Sequence, residues 1–294
     1  MTTLNWFITG ASSGLGASLA KAAISVGHRV AGTARSSSRL RDVAASHPDT
    51  FLPLSMDLAR PNEIDAVIAQ AEAWHGGIDV LVNNAGIGYA AAIEEGEDKN
   101  VRAVFETNVF GLINIIRAAL PAMRGRGRGT IVNLSSTNGV VSMPGLGFYS
   151  ASKHAVEAIT DALRGEVAPL GLKVLTVEPG GFRTGIAGRN LRSRRIAAYD
   201  QTAHQIMDFL RVDNQDAYAK GDPDRMAKIL VDLVGTGDMP SRLILGADSF
   251  GAITGELDAR KAEYEKWKDT SFSTDAIRDA GGEAQFIRTD VANG

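Results

Sequence analysis

Cysteine is absent from all 294 residues, which excludes disulfides, thiolate metal sites and a cysteine nucleophile, and no metal site is expected. Charge of one sign is scarce as well. The net charge is −3, with 22% charged and 44% hydrophobic residues, so nothing draws the chain toward nucleic acid over long range. Nowhere do eighteen apolar residues run uninterrupted, and the opening MTTLNWFITG lacks a basic stretch leading into a long apolar one. The expectations that follow are a small-molecule partner, no nucleic acid, no membrane and a cytoplasmic location.

What is present is a repeated alternation of short apolar runs and amphipathic stretches. Leu4 to Thr9 reads as a strand, followed by a glycine turn, a helix running toward Gly27 and a second strand at Val30 to Thr33. FLPLSMDL, IDVLVNNAG, TIVNLSS, LKVLTVEPGG and RLILG continue the series to seven strands. Strand interiors without charge, separated by helices, predict an α/β fold: a doubly wound parallel sheet of Rossmann type, helices on both faces. One domain is expected over residues 1–273, with a mostly helical, arginine-bearing lid over about 185–221. The tail 274–294 looks like a second copy of Arg39 to Ala59, with Asp290 in the place of Asp57. Its QFIRTDV segment is expected on a sheet edge or a second subunit.

The first turn, Gly10-Ala11-Ser12-Ser13-Gly14-Leu15-Gly16, lets the backbone approach a pyrophosphate and places a helix N-terminus behind it. The second strand ends in Arg35 with no acidic residue before Asp42. Arg35 can pair with a 2′-phosphate, with Ser12 or Ser36 assisting, which favours NADP(H) over NAD(H). At the next strand end Asp57 and Leu58 lie where a carboxylate could accept from an adenine amino group, or Asp57 could cap the following helix. Asn84, Ala85 and Gly86 stand at the carboxyl end of the fourth strand, where open sheets place ligands. Asn108, inside an apolar helical run, is either a satisfied core amide or a site residue. The loop RGRGRG, with Arg124, Arg126 and Arg128, reads as a solvated turn, and Arg192, Arg194 and Arg195 as a solvated lid surface.

Tyr149 and Lys153 lie four residues apart on a helix and so leave one face. An ammonium beside a phenol favours the phenolate, which makes the pair a candidate proton-transfer device. Ser136, thirteen residues earlier at a strand end, can meet Tyr149 over one pocket. A carbonyl that takes up hydride becomes an alkoxide, and two hydroxyls at its oxygen stabilise the charge while one supplies the proton. Tyr89, Met143, Leu146, Phe148 and Phe182 suggest an apolar substrate lining.

Taken together, TGASSGLG, NNAG, Asn108, Ser136, YSASK and PGG resemble the short-chain dehydrogenase/reductase family in its single-domain form, in order from Leu4 to Thr184. The resemblance implies Tyr149 as general acid/base, Lys153 on the nicotinamide ribose, Ser136 on the substrate oxygen and Asn108 keeping a water in the proton relay. It also implies cofactor contacts from Pro179, Gly180, Phe182 and Thr184. The strand ending in Arg35 and the bulky C-terminal part look like the NADP-preferring hydroxysteroid- or retinol-type branch. Family members often pair two helices across a two-fold axis, which implies a homodimer or homotetramer. Open alternatives are an NADP-holding redox sensor without turnover and an epimerase or dehydratase.

Overall fold

The computed structural model describes residues 2–185 and 187–275. In chain order the elements are β1 (Asn5–Ile8), α1 (Gly14–Ser25), β2 (Arg29–Ala34), α2 (Arg41–Ser46), β3 (Phe51–Ser55), α3 (Pro61–Ala73), β4 (Val80–Asn83) and β5 (Tyr89–Ala90). They continue with α4 (Asp98–Phe105), α5 (Gly111–Arg126), β6 (Gly129–Leu134), α6 (Gly147–Val167), β7 (Leu172–Pro179), β8 (Leu191–Arg192) and α7 (Ala203–Phe209). The series closes with α8 (Gln215–Tyr218), α9 (Pro223–Thr236), β9 (Arg242–Leu245), α10 (Ala247–Lys266) and α11 (Lys268–Phe272).

Seven strands form one parallel sheet in the order β3-β2-β1-β4-β6-β7-β9. The apolar runs carry it. All four residues of β1 are buried, as a central parallel strand covered on both faces requires. Leu19, Ala23, Leu230 and Val231 from α1 and α9 pack on one face, while Ile64, Ile115, Met123 and Leu163 from α3, α5 and α6 pack on the other. Burying a side chain of that size contributes about 1.5–3 kcal/mol. Pro53 lies within β3, at the sheet's edge, where a missing N–H interrupts no central ladder.

β1 pairs with β2 on one side, Trp6 opposite Val30, and with β4 on the other, Trp6 opposite Val80. The connections leaving β1 and β4 therefore diverge, and the crevice between their carboxyl ends is where such sheets bind ligands. Between α4 and α5 the helix widens to a π-turn over Glu106–Phe110, which carries Asn108. The joined run Asp98–Arg126 is long and apolar enough to cross a membrane by length and composition. Here its apolar side meets the sheet through Leu112, Ile115 and Met123.

Two expectations change. Helix α5 continues through Arg126, so the first half of RGRGRG is helix. Arg126 is also not solvated: it donates to Glu72 at 2.6 and 3.1 Å and to Ile78 O at 2.7 Å. By contact clustering the chain divides into two compact units, 1–254 and 255–294. Ile253 is the last buried residue among those described. The QFIRTDV tail lies outside the described residues.

Candidate active site

The turn after β1 is tied to the end of β4. Thr9 Oγ1 accepts from Asn84 N and Ala85 N at 2.9 Å each, and Asn84 Nδ2 donates back to Thr9 O at 2.8 Å. Gly10 and Gly14 hold positive φ, 69° and 56°, a region that favours glycine. A Cβ at Gly16 would lie 2.5 Å from Gly10 O and closer still to Asn84 Nδ2. A Cβ at Gly14 would lie 3.0 Å from Thr184 Cβ, so Thr184 overhangs the turn. Ser13 precedes α1, whose first turn holds no acidic residue, and Ser12 sits half-buried beside it. This glycine-walled cradle at a helix N-terminus fits a dinucleotide pyrophosphate.

Arg35 lies exposed at the end of β2. Asp57 Oδ1 accepts from Ala59 N at 3.1 Å, within its own turn. Since Arg60 occupies the cap position of α3, the alternative of Asp57 as helix cap is not realised. Leu58 is buried in the core, where a Cβ on Gly111 would meet it.

Leu15, Asn84, Gly86, Pro179, Gly180 and Thr184 border a cavity of about 640 Å³, together with Tyr149, Lys153 and Ser136. Ser136 Oγ accepts from Asn138 N at 3.1 Å. Lys153 Nζ donates to Leu134 O at 2.7 Å and lies 5.9 Å from the Tyr149 ring centre. Burial pushes the Tyr149 phenol up, while the neighbouring Ser136 hydroxyl works the other way. Burial also brings Lys153 down to about 8, against the pull of Glu157. The expected depression of Tyr149 by Lys153 is thus not what these residues produce by themselves. Desolvation outweighs the Ser136 hydroxyl.

Asn108 is fully committed. Its Nδ2 donates to Ile87 O at 2.9 Å and Ser152 Oγ at 3.0 Å, and its Oδ1 accepts from Ile87 N at 2.9 Å. It is a satisfied amide that also fixes the segment after Gly86, because a Cβ on Gly86 would lie 3.1 Å from Asn108 Oδ1. In the substrate half, Tyr89, Met143, Leu146 and Phe182 line the cavity and Phe148 does not. Phe148 instead stacks on Tyr89 at 5.6 Å.

Sequence reasoning missed the lid's share of the lining: Ile206, Phe209, Leu210 and Tyr218. The apolar IMDFL run inside an otherwise polar insertion was the available signal. It missed the lid's fastenings too. β5 pairs with β8, Tyr89 opposite Leu191, and the buried His204 lies between Glu95 and Asp200 at 2.6 Å each. Asp200, then Glu95, hold His204 above its ordinary value. Burial opposes the charge of Glu95, yet the N–H groups of Ile196 and Ala92 and the His204 ring keep its carboxyl below the usual range. Arg192, Arg194 and Arg195 are all exposed, and Arg195 pairs with Asp208. At the rim, Arg189 donates to Ser13 Oγ at 2.9 Å. Among the described residues no cluster of His, Asp and Glu is arranged to hold a metal ion.

A parallel sheet with a glycine cradle at its crevice and a hydroxyl pair over a buried lysine defines a class of nucleotide-dependent oxidoreductase. Residues 5–195 match the short chain dehydrogenase family model, and the chain belongs to that family. It is 31% identical over 271 residues to an oxidoreductase, BOA17, of Botryotinia fuckeliana, covering 92% of this chain and 98% of the relative. It is 34% identical over 239 residues to a 3-ketodihydrosphingosine reductase of Bacteroides thetaiotaomicron, covering 81% and 86%. The crystal structure of a short-chain dehydrogenase from Streptomyces avermitilis superposes with TM-score 0.87 at 40% identity, over 93% of this chain and 99% of that one. A Burkholderia cenocepacia short chain dehydrogenase in complex with NADP gives 0.68 at 25% identity, over 90% and 97%.

Proposed function

We propose that this oxidoreductase transfers hydride between NADP(H) and an alcohol or carbonyl compound with an apolar body, with Tyr149 as general acid/base. The observation that carries the reading is the convergence of Ser136, Tyr149 and Lys153 on one largely apolar cavity. A nicotinamide cofactor, when bound, supplies or accepts the hydride. The turn Gly10 to Gly16 would hold its pyrophosphate, and Asn84, Gly86 and Thr184, which line the cavity, would hold the part of it that reaches inward. In the reducing direction Ser136 donates a hydrogen bond to the substrate oxygen and Tyr149 gives that oxygen its proton. Lys153 stabilises the phenolate left behind. Asn108 keeps the wall at Ile87 in place. The relative named as a 3-ketodihydrosphingosine reductase and the similar structure in complex with NADP support a carbonyl substrate and this cofactor. Arg35, exposed where a 2′-phosphate would lie, supports it further.

Tyr149→Phe should abolish NADPH oxidation against a panel of ketones and aldehydes while NADPH binding, followed by fluorescence, persists. Retention of more than about a tenth of kcat, a loss below roughly 1.4 kcal/mol in transition-state stabilisation, overturns the assignment. The reading includes a cytoplasmic homodimer or homotetramer formed through α5 and α6, supported by Phe110, 50% exposed between α4 and α5. A monomer mass by light scattering at micromolar concentration refutes that part.

A further inference from the structure

Behind the cavity, one helical turn beyond Lys153 on α6, lies a carboxylate that the proton transfer above does not use. Glu157 is 9% exposed at its side chain, and Glu178, near the end of β7, is 2% exposed. Arg242 from β9 places its Nε 3.6 Å from Glu157 Oε2 and 3.4 Å from Glu178 Oε1. Its Nη2 is taken by Asp161, which Arg164 also engages at 2.7 Å. The remaining facing groups are the hydroxyl of Ser135, just past the end of β6, and Lys153 itself. Among the described residues, both oxygens of Glu157 and Oε1 of Glu178 lack a hydrogen bond of ordinary geometry. Two buried carboxylates that flank one guanidinium nitrogen, at 3.6 and 3.4 Å, do not both stay ionised, because so little solvation cannot hold two like charges.

We propose that Glu157 and Glu178 form a proton-sharing pair that keeps a single negative charge behind Lys153 and thereby sets the charge of that ammonium. The pair positions charge; it touches neither substrate nor cofactor. Burial, then Glu157, raise Glu178 to about 7, and burial raises Glu157 as well, as sharing demands. Lys153 and Ser135 both face Glu157 and line the cavity, and of the two only Lys153 carries a charge for the pair to act on. The ammonium's own position near 8 places its charge within reach of such a neighbour. The functional part of this inference rests on the proton-transfer role proposed for Tyr149 and Lys153; the charge coupling itself does not.

The two halves of the pair make opposite predictions for Lys153. Glu157→Gln removes the negative charge nearest the ammonium, so Lys153 should lose its proton at lower pH. Glu178→Gln frees Glu157 to ionise fully, so Lys153 should hold its proton to higher pH. The readout is the ¹³Cε shift of Lys153 in full-length protein, assigned with Lys153→Met and titrated without turnover. Midpoints moving in opposite directions by at least about half a pH unit are expected, with Glu157→Asp returning most of the first shift. Midpoints that stay put, or that move the same way in both variants, overturn the proposal, since general loosening would produce the latter. The alkaline limb of the pH dependence of kcat/KM should follow the same signs. If the Lys153 midpoints move as expected and the rate profile does not, the pair stands and the role given to Lys153 in proton transfer falls.

Discussion

Gly16→Ala tests the cradle with one methyl group. The new Cβ would lie 2.5 Å from Gly10 O and nearer still to Asn84 Nδ2, inside any real carbon contact. Gly10 O is backbone and cannot rotate away, and Asn84 Nδ2 is held by Thr9 O at 2.8 Å. Two outcomes are open to the chain. Either α1 shifts off the turn, an overpacking cost of about 1–3 kcal/mol, or Asn84 gives up its bond to Thr9 O, about 1–2 kcal/mol with a donor left in a half-buried site. With both partly incurred, the total is about 2–5 kcal/mol. Expressed in the fold, that is a fall in Tm of about 4–10 °C for a chain of this size; expressed in cofactor binding, it weakens Kd by about 30-fold to several thousand-fold. Gly165→Ala is the matched control, inside α6 with nothing within 4 Å of its added Cβ. It should gain up to about 1 kcal/mol from helix propensity. Differential scanning fluorimetry and an NADPH fluorescence titration on both variants read the two channels. A Gly16→Ala protein matching the parent within 1 °C in Tm and twofold in Kd refutes the cradle geometry.

Arg35→Asp should cut the NADPH over NADH preference in kcat/KM by at least about tenfold, by losing a charge-assisted bond and opposing a phosphate; an unchanged ratio refutes it. Arg126→Ala should cost about 2–4 kcal/mol, because it strands the half-buried Glu72, and a Tm within 1 °C of the parent would show the pair contributes nothing. The His204 fastening should depend on pH in a defined direction. His204 lies above its ordinary 6.5, so its contribution is complete below that value and is lost as pH rises through the raised one. Glu95 lies below its ordinary 4.5, so its share is present above that value and fades as pH falls through the depressed one. Exchange protection of the Ile196 amide, which donates to Glu95, should therefore decline on alkalinisation beyond the intrinsic rate change; protection flat with pH contradicts this.

The sheet was legible because each central strand is buried on both faces and reads as an apolar run, and because the glycines mark turns that few other residues can make. Tyr149, Lys153 and Ser136 were legible through spacing along single elements. What escaped were pairings between elements distant in sequence. Arg126 looked solvated because Glu72 is 54 residues away, and His204 drew no notice because Glu95 is 109 residues away. Phe148 belonged with the apolar lining by composition, yet the turn of α6 points it at Tyr89. The π-turn around Asn108 leaves no periodic trace, since one wider turn hardly alters an apolar helical pattern. Glu157 carries no signal of its own in the sequence, and only the arrival of β7 and β9 beside it encloses it.

The wholly parallel sheet has a consequence for how the chain is made. No two neighbouring strands can close through a tight hairpin, so every ladder waits for a crossover to be synthesised and folded. Such non-local pairing is slow. During vectorial synthesis β1 can gain β2 early, but its second neighbour, β4, begins only at Val80. The last strand, β9, spans Arg242–Leu245, so the β7 edge emerges more than sixty residues before its partner. Through that interval β7 offers an open row of amides and carbonyls to any passing chain. Destabilising changes in β9 should therefore be seen first as aggregation of newly made protein, before any loss of activity in the molecules that finish folding.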